Sequence, residues 1–518
     1  MRSIFFVLGL SCSLVMTYSS ETKPSSEAVA AAKKKPASLQ RGTAKLLKEK
    51  KIAQKAKPEG MSAEHPFMQA LTQAYTTNPE LRAKVKEQNA LAEELAKAYS
   101  GWRPKISGSA SAGYQKVTDA LSLNSLGQPT GKSSTSLPPK TAGVEVRQNI
   151  FEGGKTLANT TAAENQILSG NEDFKSTEQN ILLKATRAYL DLWARRQELE
   201  INRTSVRFFE FNLEQAKARA DVGEIGLTEI AEAEFRYSEA LADFVSAEAE
   251  VQNATAEYLS VVGAQPPKEL VLPLDIGTTI TLPITLDDLK NISIKENPAL
   301  QKAIFDAKAA EAAIDIATAD LMPKVDVVGS ANRNLSTKYR GSRVNDVSAI
   351  VQVNVPIYGQ GGADWANVRA SHQTAAQRAI EVKRARNQVI ESVIKVWETR
   401  HASKGRVSKL EAQVKAGETR IEGTRQESLV GERTLLDVLN AQKDVVGARV
   451  SLVRATRDFL ASGYEILAVM GHLSTALLKM PVQKYDVKGY AEETSGRYIG
   501  WGDVPSREEI RDAADSSR

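Results

Sequence analysis

The chain has one cysteine and four histidines among its 518 residues, and aromatic residues make up only 6% of it. Cys12 sits inside an N-terminal stretch with the character of a leader, so a processed chain carries no cysteine. Disulfides, thiolate metal sites and cysteine nucleophiles therefore drop out. His65, His372, His401 and His472 stand far apart and form no helical His-x-x-x-His pair, which removes the usual zinc arrangement. Apolar runs of about 18 residues are missing, and with them a transmembrane helix. A basic surplus is missing from the body as well. Residues 1–64 hold 12 Lys/Arg against 5 Asp/Glu while the whole chain carries only +5, so the remainder is at −2 and offers nucleic acid no cationic face.

The most telling absence is of proline. None of the 18 prolines lies between Pro139 and Pro266, or between Pro356 and Pro481. Proline inside a helix costs about 3 kcal/mol, so its exclusion predicts helix through both tracts. Their apolar positions step by four and three: Val407, Leu410, Val414 and Ile421 follow that step, as do Leu436, Leu439, Val446, Val450, Val453 and Leu460. This is coiled-coil-like packing. Gly223 and Gly226 interrupt the first tract and Gly431 the second. Glycine after a helical run is a C-terminal stop, which predicts two antiparallel arms per tract joined at a tight turn. At roughly 1.5 Å per residue, an arm over residues 155–219 is about 100 Å long.

What is present is said twice. Asn78-Pro79 recurs as Asn297-Pro298 and Pro104-Lys105 as Pro323-Lys324, both 219 residues later, and Val222-Gly223-Glu224 recurs as Val430-Gly431-Glu432, 208 residues later. Landmarks kept in order over such a span mark a duplicated unit rather than a short solenoid repeat, with a loop longer by 11 in the first copy. Ahead of each helical tract the period changes to two. Val347, Ala349, Val351, Val353, Val355 and Ile357 share one face, and residues 105–117, 142–151 and 325–333 alternate more weakly. Each copy is thus expected to hold two strands, the run over 347–357 being of about membrane-spanning length.

Arg2, the apolar run from Ile4 to Leu10 and the small polar residues near Thr17 and Ser19 predict a secretory signal over 1–20. Residues 21–64, with Lys33-Lys34-Lys35, form a basic low-complexity linker. Gly153-Gly154-Lys155-Thr156 follows a strand and opens a helix, which suits a phosphate-binding loop, but the glycine that such a loop needs earlier is Asn149. The second copy keeps Gly361 and Gly362 and lacks the Lys-Thr pair, so these glycines are expected to make strand-to-helix turns. No catalytic constellation and no cofactor is implied.

Duplicated helix, two strands, long helical hairpin and a signal peptide together resemble the TolC-like outer membrane efflux and type I secretion exit ducts. The resemblance covers about residues 65–472, and its most specific motif runs from Val430 to Gln442, with residues 222–230 as a degenerate partner. It implies an α+β membrane protein, a homotrimer whose strands form one 12-stranded outer membrane barrel and whose helices form a periplasmic tunnel. The first repeat then spans 65–262, an inter-repeat linker 263–286, the second repeat 287–472, and a partly disordered tail 473–518. The resemblance also implies a passive, non-enzymatic channel in the Gram-negative outer membrane. Its partners would be outer membrane lipid, a periplasmic membrane-fusion adaptor and an inner-membrane transporter of the ABC, RND or MFS type.

At the hairpin tips the resemblance assigns Asp437 to the entrance constriction. It places Asn440 where a second aspartate is common, which weakens the expected cation preference. Arg433 is expected to tie the tips shut through Thr228 and Glu229, with Ser428 in place of an aromatic. The competing reading is a periplasmic coiled-coil scaffold or adaptor that never enters a membrane. That reading accounts for the hairpins and the leader but not for two strand pairs.

Overall fold

The computed structural model describes residues 65–119, 124–128, 133–273, 282–482, 485, 487–500 and 504–515, all within the compact unit Glu59–Arg518. The expected signal over 1–20 and linker over 21–64 lie outside the described residues.

Each copy opens on a helix–helix corner made by its Asn-Pro pair. In the first copy α1 (Pro66–Thr77) ends at Asn78 and α2 (Pro79–Tyr99) starts from it. Proline occupies the first helical position, where its missing N–H costs nothing. The Asn78 side chain accepts from the N–H groups of Glu80 at 2.9 Å and Leu81 at 3.4 Å. Strands β1 (Lys105–Ala112), β2 (Gln115–Asp119), β3 (Ser133–Leu137) and β4 (Lys140–Glu152) follow, then the helical arms α3 (Lys155–Asp221) and α4 (Leu227–Val262). The second copy repeats the plan with α5 (Leu286–Glu296), α6 (Pro298–Ala319), β5 (Lys324–Leu335), β6 (Arg343–Asn354), α7 (Ala363–Leu429) and α8 (Leu435–Met470). Asn297 caps α6 as Asn78 caps α2, accepting from Ala299 at 3.0 Å and Leu300 at 3.3 Å. The long arms have 67 residues and the return arms 36 in both copies, so each long arm is about 100 Å.

The two strand pairs join into one antiparallel sheet of order β1-β4-β5-β6. Ile106 pairs with Val146, Val146 with Gly329 and Gly329 with Ala349, so these share a face, as do Ala110, Ala142, Arg333 and Asn345 nearer the far end. That face also carries Val144, Val327, Val347, Val351 and Val353, all exposed. The opposite face carries Ser107, Ser109, Glu145, Arg147, Asp326, Ser330 and Ser348, with Arg147 paired to Glu145 at 3.0 Å and Asp326 at 3.6 Å. A sheet apolar on one exposed side, polar on the other and open at both edges is the local design of a membrane barrel segment. The β2–β3 ladder was not expected. The alternation over 105–117 is broken at Gly113 and Tyr114, and the chain beyond pairs with Ser133–Leu137 instead.

Gly153 and Gly154 turn β4 into α3 with φ of +61° and +83°, and Gly361 and Gly362 make the corresponding turn with φ of +62° and +87°. A Cβ on Gly153 would lie 2.5 Å from the Met322 Cβ, so this turn is also a close approach.

The main core lies where the two copies meet. Phe67 of α1 packs edge-on against Tyr189 at a centroid distance of 5.2 Å and lies 5.4 Å from Tyr464 of α8. The Tyr189 hydroxyl donates to the Val271 carbonyl at 2.9 Å. Arg454 of α8 reaches Glu198 of α3 through two bonds of 2.8 and 2.9 Å, and Arg187 reaches Glu465 at 2.6 Å. Residues 473–518 were expected to be partly disordered, and the described part of this tail differs. Leu473, Leu478 and Met480 enter the main core, α9 (Val487–Ser495) packs on α2, and Arg103 donates to the Ser495 and Arg497 carbonyls at 2.8 and 2.9 Å. Apolar residues hidden in a charged, low-periodicity segment explain why composition alone suggested otherwise. A last helix, α10 (Arg507–Asp515), follows.

Candidate functional site at the hairpin tips

Both tips are built by the same backbone device. In the first, Gly223 takes φ +76° and the Glu224 N–H bonds back to the Arg219 carbonyl at 2.9 Å. In the second, Gly431 takes φ +85° and the Glu432 N–H bonds to the Glu427 carbonyl at 2.9 Å. These are glycine-terminated helix ends, and the residue type is dictated by the left-handed backbone. Gly226 does a different job: its φ is −88° and it is the N-cap residue of α4. Val222, Leu227, Leu429 and Val430 are 73–84% exposed and give the tips an apolar crown.

Asp437 sits in the first turn of α8 and closes a capping box with Thr434. Its Oδ2 accepts from the Thr434 N–H at 3.1 Å and hydroxyl at 2.9 Å, while its own N–H donates to the Thr434 hydroxyl at 3.2 Å. The hydroxyl bond, the backbone bond and the nearby Arg433 charge hold the Asp437 carboxyl below its ordinary pKa. It therefore remains an anion at neutral pH.

Within one protomer the Arg433 guanidinium is taken by Glu427, at 3.1 Å, across its own turn. Thr228 and Glu229 stand exposed in the first turn of α4; the Glu229 N–H donates to the Gly226 carbonyl at 3.2 Å. The Ser428 carbonyl accepts from Gly431 at 3.2 Å, which makes it part of the turn. Glu427 escaped sequence reasoning because it lies six residues before Arg433, outside helical i,i+4 spacing, and only the turn brings them together.

Asn440 meets the first-copy hairpin. Its Oδ1 accepts from Arg236 of α4 at 3.0 Å, and Arg236 also pairs with Glu239 at 3.0 Å and Glu232 at 3.1 Å. One turn on, Lys443 pairs with Glu239, whose carboxyl is held below its ordinary pKa chiefly by that Lys443 bond. This network locks α4 to α8 just above the tip. Arg236, Glu239 and Lys443 could have been suspected only by pairing the two hairpins in advance.

A family description, outer membrane efflux protein, matches residues 70–264 and 289–472, one segment per copy. The chain belongs to the outer membrane efflux protein family. The outer membrane efflux protein BepC of Brucella suis biovar 1 is 30% identical over 83% of this chain and 91% of its own length. Outer membrane protein TolC of Vibrio cholerae is 23% identical over 78% of this chain and 90% of its own. The fold is that of the Campylobacter jejuni CmeC outer membrane channel, with a TM-score of 0.67 at 15% identity over 83% of this chain and 89% of that one. Family membership places the protein in the outer membrane as an exit channel, with a periplasmic helical extension. Members of the family are channels rather than enzymes.

Proposed function

We propose that three copies close into one passive duct that carries cargo of an efflux pump or a type I secretion system out through the outer membrane. The observation that carries this is the four-stranded sheet, apolar on its exposed face and open at β1 and β6. In a bilayer an unpaired edge is not tolerated, so the edges must be closed by other copies. β1 runs away from the helices and β6 runs back toward them, so β6 of one copy meets β1 of the next antiparallel. Three copies then give an even number of strands. The long arm α7 supports the same assembly: of its 67 residues only Val389, Val393 and Ser403 are buried in the protomer, which leaves its length free for a neighbour.

In this assembly the tips form the periplasmic entrance. Three Asp437 carboxylates around the axis favour cations, and the apolar crown of Val222, Leu227, Leu429 and Val430 is the surface an adaptor covers when it opens the duct. Arg433 holds the closed entrance, either through Glu427 or by exchange to Thr228 and Glu229 across the assembly. An inner-membrane transporter supplies the energy. A periplasmic scaffold would need neither the apolar strand face nor a polar face opposite it.

The test is the β6–β1 seam. A processed chain without cysteine permits single cysteine pairs, such as one at Gly108 with one at each of Ala349, Val351 and Val353 in turn. At one register a covalent trimer should appear on non-reducing gels of detergent-extracted protein. Absence of a covalent trimer at every register would contradict the closed barrel.

A further inference from the structure

The far end of the sheet holds a cluster of cations. Lys140, Arg333 and Arg343 are exposed. Among the described residues they have no acidic partner, as Lys105 at the other end of β1 has none, in contrast to Arg147, Lys155 and Lys324 nearer the helices. There Lys155 is bound by Asp320 at 2.7 Å, Lys324 by Asp320 at 3.1 Å and Glu152 at 3.3 Å, and Arg147 by Glu145 at 3.0 Å.

Register puts all three on the apolar face. Lys140 pairs with Leu335 and Leu335 with Arg343, while Arg333 pairs with Ala142, in line with Val144 and Val146. The nearest acid on β6, Asp346, pairs with Asn332 and belongs to the polar face. With strands about 4.8 Å apart, Lys140 and Arg343 are roughly 10 Å from each other and Arg333 sits one pleat, about 7 Å, further in. The turn beyond adds Lys338 and Arg340, both exposed.

Depth fixes what faces them. From Val353 to Arg343 is ten residues, about 34 Å along the strand, or roughly 25 Å along the normal at a tilt near 40°, the height of an outer membrane apolar band. Since the helices are periplasmic, the cations lie at the headgroups of the outer leaflet. Three adjacent cations exceed the single charge of a phosphodiester lipid. They match a headgroup with two phosphomonoesters, each about −1.5 to −2 at neutral pH.

We infer that Lys140, Arg333 and Arg343 form, on each copy, a binding site for the phosphates of a bis-phosphorylated glycolipid in the outer leaflet, its acyl chains lying along Val144, Ala331 and Val347. This rests on the barrel reading above.

The experiment is native mass spectrometry of the detergent-extracted oligomer titrated with lipid A, its monophosphoryl form, or phosphatidylglycerol. Wild type and the triple variant Lys140→Gln, Arg333→Gln, Arg343→Gln are compared. Each cation near an anionic lipid surface is worth roughly a fivefold change, so the triple variant should lose about a hundredfold in apparent affinity for lipid A. Wild type should also prefer lipid A to both other lipids. A second variant, Arg333→Lys with Arg343→Lys, should keep binding. Equal retention of lipid A by wild type and triple variant would overturn the site, as would phosphatidylglycerol binding as tightly as lipid A. Heat-modifiable gel mobility and ion conductance are recorded on the same preparations. Wild type lacking both would bring down the barrel reading itself, whereas wild type showing both without retaining lipid A would bring down the lipid site alone.

Discussion

Asp437 caps α8 through one carboxylate oxygen and keeps its charge while doing so. Its pKa is depressed, so the folded state binds its proton less readily than the unfolded chain. The stability it gives is present above the unfolded pKa and is lost as pH falls through the folded one. Cation preference in bilayers should therefore be lost with a midpoint at lower pH than an ordinary aspartate would give. Reversal potentials in a salt gradient read this directly, and a midpoint at or above that of an ordinary aspartate would contradict it. Asn440 predicts a different outcome. Because Arg236 already donates to it at 3.0 Å, Asn440→Asp alone should add little cation preference, whereas Asn440→Asp with Arg236→Ala should add clearly more. Two glycines side by side also separate strain from crowding. Gly154→Ala meets open space and should cost only the left-handed backbone penalty, about 1–2 kcal/mol. Gly153→Ala must also displace Met322 and should cost about 2–4 kcal/mol in thermal unfolding.

At the scale of elements, the two Asn-Pro corners are the devices that set each copy's first helices. Asn78→Ala and Asn297→Ala should each cost about 1 kcal/mol, the usual worth of such a cap, measured by denaturant unfolding. These corners, the proline-free arms and the hairpin glycines were legible in the sequence because each imposes a residue type through backbone geometry alone. The strand β6 was legible because four of its apolar side chains, Val347, Ala349, Val351 and Val353, alternate. The β2–β3 ladder was not, since five-residue polar strands leave no periodic signal. The packed tail was missed for a related reason: Leu473, Leu478 and Met480 acquire meaning only once α1 and α3 offer them a core. At the tips, Asp437, Asn440 and Arg433 were singled out by resemblance. The partners Glu427 and Arg236 were not, because both contacts depend on how the chain turns or on how the two hairpins meet.

At the scale of the molecule, the duplicated plan leaves exposed what a soluble protein would cover: one apolar sheet face, two strand edges and most of α7. Each is satisfied by closing three copies into a barrel in lipid, and in the duct proposed above the hairpin tips form the entrance. The measurement that tests this most directly is single-channel conductance of the purified oligomer in planar bilayers, for wild type, Arg433→Ala and Asp437→Ala. Wild type should show a small, cation-preferring conductance, Arg433→Ala a larger one, and Asp437→Ala a reduced cation preference. Absence of conductance from a correctly assembled, membrane-extracted oligomer would contradict the duct, and conductance unchanged in both variants would move its gate away from the tips.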